Sequence, residues 1–212
     1  MSFEVLVRHY EETLRRHGAT AQGMDWPDAE GLRRRFAVMT ASWRDISSAR
    51  VLDLGCGAGL YADYLADRGL LDAKRYWGVD LSAAMIAAAC ARHPELRFMQ
   101  RDLLADPLRP GEADAVVMNG VLTEKRELSH EQMWSLTQRL LRAVWAGRPH
   151  VISFNVMSAH VDWCRPDLFH LPLDWLMPFL RAELSPHVII RQDYGLYEYT
   201  VWVRDQPWPF DL

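Results

Sequence analysis

Apolar and polar positions recur along the chain with helical and strand periods in turn. Over residues 3–17, Phe3, Leu6, Val7, Tyr10 and Leu14 recur on one helical face, and Gly18 is the expected stop. Residues 19–26 lose that period and read as a loop containing Gly23 and the pair Asp25-Trp26. Pro27 and Asp28 open a second helix to about residue 43, striped by Leu32, Phe36 and Met39. Short apolar runs then read as strands at about 50–54, 75–79, 96–100, 113–119 and 150–155. Helical stretches at about 60–68, 82–92 and 129–145 separate them, with Ser82 as an N-cap and Ser129 with Gln132 as a capping box. Nearly continuous apolar strands alternating with helices mean an α/β chain whose parallel sheet is covered on both faces. Residues 156–171 are irregular and aromatic, and 172–182 read as a helix. Residues 187–192 and 197–204 then alternate like adjacent strands, joined by a link short enough for a hairpin.

One stretch breaks this regularity with a purpose. Val51-Leu-Asp-Leu-Gly-Cys-Gly-Ala-Gly59 runs from a buried strand through three glycines into a helix. That geometry brings backbone close to a nucleotide-like ligand, and glycine is needed where a Cβ would block positive φ or push the ligand away. The next strand ends in Asp80, a carboxylate suited to accept both hydroxyls of a ribose. The two helices ahead of the first strand can lie over such a site as a lid.

Composition narrows the partners. The 212 residues suggest one domain, with residues 1–46 as a helical lid and 47–212 as the ligand-binding unit. A net charge of -4 with no long basic run disfavours nucleic acid as a partner. Apolar stretches are broken by charges well before a membrane span, and the first residues lack the layout of a signal peptide. Cys56, Cys90 and Cys164 are few, odd in number and far apart, as expected of free thiols in a reducing cytoplasm. A monomer or homodimer is expected, with tryptophans such as Trp208 as interface candidates.

The order of elements, the turn Asp53 to Gly59, the acid Asp80 and the pair Asp102-Leu103 resemble the class I S-adenosylmethionine-dependent methyltransferases. The resemblance spans residues 50–204. It implies a Rossmann-like, seven-stranded, mostly parallel sheet with an antiparallel last strand. The spacing G-x-G-x-G departs from the G-x-G-x-x-G of dinucleotide sites. The front of the chain, with His17-Gly18, residues 20–26 and Arg35-Phe36, is similar to a smaller group of bacterial methyltransferases.

By that resemblance, Gly55, Gly57 and Gly59 wrap the methionine end of the cofactor, and Asp53 lies near its amino group. Asp80 takes the ribose, Leu81 packs on the adenine, Asp102 accepts from the adenine amino group and Leu103 offers a backbone N–H. Asn119, ending the fourth strand, faces the sulfonium. Arg35 clamps the carboxylate through a two-pronged guanidinium contact, and Tyr10 and Trp26 close the lid over the sulfonium. Plainer roles stand beside these: turn caps for Asp53 and Asp102, a solvated helix face for Arg35, ordinary packing for the aromatics.

The acceptor side is expected at the ends of strands four and five and in the aromatic insert. Asn155, His170 and Tyr197 are the catalytic candidates, with His160, Trp163 and Tyr199 behind them. The alternation His160, Asp162, Cys164 is too small a cluster to argue a metal. The expected function is transfer of the sulfonium methyl to oxygen or nitrogen of a small molecule. Two alternatives remain open: another use of the same cofactor, by cyclisation or aminobutyrate transfer releasing methylthioadenosine, and a binding module without catalysis.

Overall fold

A computed structural model describes residues 4–208. Phe3, expected at the start of the first helix, lies outside the described residues. Helix α1, Glu4–His17, ends at Gly18, whose φ of 65° turns the chain and whose N–H donates to Leu14. A 3-10 turn, Gln22–Met24, interrupts the expected loop. Helix α2, Ala29–Ala41, is capped by Asp28, whose side chain accepts from Gly31 N at 2.6 Å.

The sheet follows in parallel. Strands β1 (Val51–Leu54), β2 (Tyr76–Asp80), β3 (Arg97–Gln100), β4 (Ala115–Met118) and β5 (Val151–Ser158) run in the same direction. Helices α3 (Leu60–Ala66), α4 (Ala83–Arg92) and α5 (His130–Trp145) make the crossovers. The expected capping box of α5 forms, with Ser129 and Gln132 bonding each other's backbone. Helix α6, Leu173–Glu183, precedes β7 (His187–Arg191) and β8 (Glu198–Arg204). Strand β8 slots between β5 and β7, antiparallel to both, giving the order β3-β2-β1-β4-β5-β8-β7.

Two details differ from expectation. Strand β5 continues to Ser158, past the expected end near 155, because β8 pairs along its whole length as far as Met157. A two-residue strand β6, His170–Leu171, pairs beside the end of β5 and raises the strand number to eight.

The sheet is buried on both faces. On one, Leu52, Met118, Phe154 and Tyr199 pack under α5 and α6 with Leu140, Leu141 and Leu180. On the other, Val51, Val117 and Val151 pack with Phe36 and Met39 of α2 and Tyr61 and Leu65 of α3. Full burial of each such side chain stabilises the fold by about 1.5–3 kcal/mol, so the sheet is a rigid frame. Trp208, named above as an interface candidate, stacks on Trp202 at 5.5 Å with Arg204 over its face.

Candidate active site

The carboxyl ends of β1, β2 and β4 open into a cavity of about 1100 Å3, mouth included. This is where open α/β sheets bind ligands, at the point where strand order reverses. β1 supplies Asp53 and the glycine turn, β2 supplies Asp80, and the turn after β4 supplies Asn119 and Gly120. Leu6, Val7 and Tyr10 of α1, Met24, Trp26, and Leu32 and Phe36 of α2 roof it.

The glycine turn is held by Asp80. Gly57 N donates to Asp80 Oδ2 at 3.0 Å and Ser82 N donates to Oδ1 at 2.9 Å. Gly57 has φ +52°, and a Cβ there would meet Met24 Sδ at 2.5 Å. That sulfur also accepts from Ala58 N at 3.4 Å, so the 3-10 turn rests directly on the glycine turn. Asp53 is buried, and Tyr76 donates its hydroxyl to Oδ2 at 2.7 Å. Burial pushes the Asp53 carboxyl up to about 7, against the Tyr76 bond that holds it down. Burial also raises Asp80, with its backbone amide donors opposing.

Asp102, Leu103 and Leu81 lie in the wall at the β2–β3 side. Asp102 Oδ1 also accepts from Leu104 N at 2.8 Å, so the turn-capping role and the cavity position coexist. Asn119 Oδ1 is a buried oxygen with no hydrogen-bond partner, in the wall after β4. Such an atom calls for a donor from a ligand. Tyr10 donates weakly to Gly120 O at 3.5 Å. Burial, then Glu124 and Asp25, push its hydroxyl above the ordinary tyrosine range, so it stays a donor.

Beside Tyr10 lies a charged hub that the sequence did not suggest. Arg126, at φ +50°, reaches Asp25 at 2.8 Å, Glu124 at 2.8 Å and Asp167 at 3.3 Å, and contacts His9. His9 Nε2 is 2.7 Å from Asp25. The hub joins α1 and the 3-10 loop to the segments after β4 and β5. Burial pushes Glu124 up to about 7, with Arg126 opposing. His9, Asp25 and Glu124 bring ligand-type atoms within 4.8 Å of one another, but Arg126 already supplies a cation to all three. His160, Asp162 and Cys164 are not among the metal-type clusters found in the described residues.

Arg35 and the acceptor-side candidates Asn155, His160, Trp163, His170, Tyr197 and Tyr199 lie outside the cavity wall, and so does Gly59, which caps α3. Arg35 does not face the cavity. It is 8% exposed, its guanidinium bridges both oxygens of Glu198 at 2.9–3.0 Å, and it stacks on Trp26 at 4.0 Å. Asn155, expected as a catalytic group, is fully buried and committed on both sides: Oδ1 accepts from Gly120 N at 2.7 Å and Nδ2 donates to Glu198 at 3.0 Å. His170 turns both ring nitrogens to backbone, Nδ1 to Ser158 O at 2.7 Å and Nε2 to Arg165 N at 3.3 Å. Tyr197 is 61% exposed and Trp163 62%, while Tyr199 is core and donates to Leu171 O. The carboxylate-bearing strand β8 brings Glu198 to Arg35 and Asn155, and its polar face was not legible as anything but alternation.

A family model described as a methyltransferase domain matches residues 51–144. A Mycobacterium tuberculosis protein bearing a methyltransferase name is 31% identical over 157 residues, which cover 72% of this chain and 90% of the relative. Among solved structures, the Burkholderia thailandensis 1,6-didemethyltoxoflavin-N1-methyltransferase is similar with a TM-score of 0.64 and 18% identity, over 95% of this chain and 87% of that one. The magnesium protoporphyrin IX methyltransferase of Synechocystis, with bound S-adenosylhomocysteine, follows with a TM-score of 0.63 and 16% identity, over 94% and 98%. The chain belongs to the class I S-adenosylmethionine-dependent methyltransferases, and S-adenosylmethionine is its cofactor. The cavity fits that cofactor: a glycine turn, a carboxylate braced by amides at the end of β2, and an orphan acceptor at Asn119 meet in one wall. Among the described residues no helix is long and apolar enough to cross a membrane.

Proposed function

We propose that this enzyme moves the sulfonium methyl of its cofactor to an oxygen or nitrogen of a small molecule. The observation that carries this is the roof. Tyr10, Trp26, Leu32 and Phe36 roof the ends of the strands with largely apolar side chains, the lining typical of a small-molecule pocket. Two structural neighbours whose names state small acceptors, a didemethyltoxoflavin and a magnesium protoporphyrin, support the same class.

In this reading Asp80 receives the ribose diol, Asp102 and the Leu103 amide the adenine, and Asp53 with the glycine turn the amino group. Asn119 and Gly120 form the floor on the sulfonium side, with Tyr10 and Trp26 above them. The cofactor supplies a methyl carried on a positively charged sulfur. The protein excludes water, aligns the acceptor in line and places aromatic faces where positive charge sits.

The test is to incubate the enzyme with methyl-labelled cofactor and fractionated cell extract. Label entering the small-molecule fraction, with release of S-adenosylhomocysteine, is the expected result. Release of methylthioadenosine would replace methyl transfer with cleavage of the aminobutyrate arm. Label in protein or RNA would overturn the acceptor class.

A further inference from the structure

Glu198 sits on β8, well outside the part of the chain that matches the methyltransferase family model, and does not line the cavity. It is nonetheless fully buried and accepts from three side chains. Arg35 Nε reaches both of its oxygens, at 3.0 and 2.9 Å, and Asn155 Nδ2 and Tyr194 OH reach Oε1 at 3.0 and 3.2 Å. A buried carboxylate without such partners would be strongly unfavourable, so these contacts fix its place.

From Glu198 two arms lead to the cavity. One runs through Arg35, whose guanidinium lies 4.0 Å from the Trp26 ring. The other runs through Asn155, whose Oδ1 holds Gly120 N at 2.7 Å. The arms meet again. Gly120 has φ +82°, and a Cβ there would strike Trp26 Cζ2 at 2.6 Å, so the indole rests on the bare backbone of this turn. Glu198, Arg35, Trp26, Gly120 and Asn155 thus form a closed ring of contacts, of which only Trp26 and Gly120 line the cavity.

We infer that Glu198 is a positioning residue for cofactor binding: through Arg35 and Asn155 it sets Trp26 in the roof against the Asn119-Gly120 turn in the floor. The role needs only the cofactor cavity, whatever molecule accepts the methyl. It also gives Arg35 a task other than meeting the cofactor carboxylate. The alternative, in which Glu198 merely holds Arg35 until a ligand carboxylate takes it, predicts the opposite response to neutralising Glu198.

The full-length protein labelled with 5-fluorotryptophan provides the test, with Trp26→Phe assigning the Trp26 resonance. Glu198→Gln should shift or broaden that resonance and weaken S-adenosylhomocysteine binding about tenfold by calorimetry, the size of a coupling between residues in contact. Methylthioadenosine, which lacks the carboxylate, should lose a similar factor. Asn155→Ala cuts the second arm while leaving the Arg35 pair, and decides the matter should Glu198→Gln not fold. It should move the same resonance and weaken the same ligand, and the double variant should bind no worse than the weaker single one. Unchanged binding and resonance in a folded single variant would overturn the inference. So would losses that add in the double variant. Tighter binding of S-adenosylhomocysteine relative to methylthioadenosine in Glu198→Gln would overturn it too, by showing Arg35 released to act as a clamp.

Discussion

At the scale of single residues, Asp80 joins two elements of the site with two atoms. Its two oxygens accept from Gly57 and Ser82, so one carboxylate ties the glycine turn to the start of α4. Ser82 itself caps α4 and donates to Glu11 of α1 at 2.7 Å, which draws the lid into the same set of contacts. Asp80→Ala is expected to weaken S-adenosylhomocysteine binding by about 2–4 kcal/mol, from the loss of charged hydrogen bonds to a diol and of the braced turn. Isothermal calorimetry measures this directly, and retained affinity would remove Asp80 from the ribose site. Arg35 carries no local mark. A guanidinium on a lid helix suits a ligand carboxylate as well as a protein one, and its actual partner lies 163 residues away on β8. No local pattern carries that pairing, whereas Asp80 is marked by the strand it ends.

At the scale of elements, what the sequence makes legible is what local chemistry dictates. The glycine turn shows because three closely spaced positions at φ 75°, 52° and 81° strongly favour glycine over residues with a Cβ. The caps at Ser82 and Ser129 show because side-chain acceptors must meet the free amides of a helix start. Strand β6 does not show, because two residues have no period and its pairing to β5 is decided by the fold. The partners of Asn155 do not show for a similar reason. Strand alternation says that it shares a face with Ser153, but not that Gly120 and Glu198 close over it. The Met24 contact with the glycine turn has no signal in composition or spacing. Because α5 is held by its own cap and by core packing, its start is separable from the site. Ser129→Ala should cost about 1 kcal/mol and lower the melting temperature by about 2–4 °C. Cofactor affinity should stay unchanged. A loss of affinity would show that the α5 start is coupled to the cavity.

At the scale of the whole molecule, two buried carboxyls make stability and binding depend on pH. Burial pushes Asp53 and Glu124 up to about 7 from ordinary values of 3.8 and 4.5. Between roughly pH 4 and pH 7 the folded chain therefore holds protons that the unfolded chain has lost. Their contribution to stability is complete below the unfolded values and declines as pH rises through 7. Asp114 and Asp167 act in the opposite sense, since hydrogen bonds from Arg50 and Arg165 hold them low. The informative quantity is thus the difference between wild type and Asp53→Asn, whose stability should fall less steeply from about pH 4 to about pH 7. Cofactor binding then couples to the same proton. An ammonium placed beside Asp53 favours the charged carboxylate, so binding near pH 6 should release close to one proton. Calorimetry in buffers of different ionisation heat counts that proton, and Asp53→Asn should abolish the release. Binding without proton release in the wild type would put the amino group elsewhere on the glycine turn and leave Asp53 a partner of Tyr76 alone.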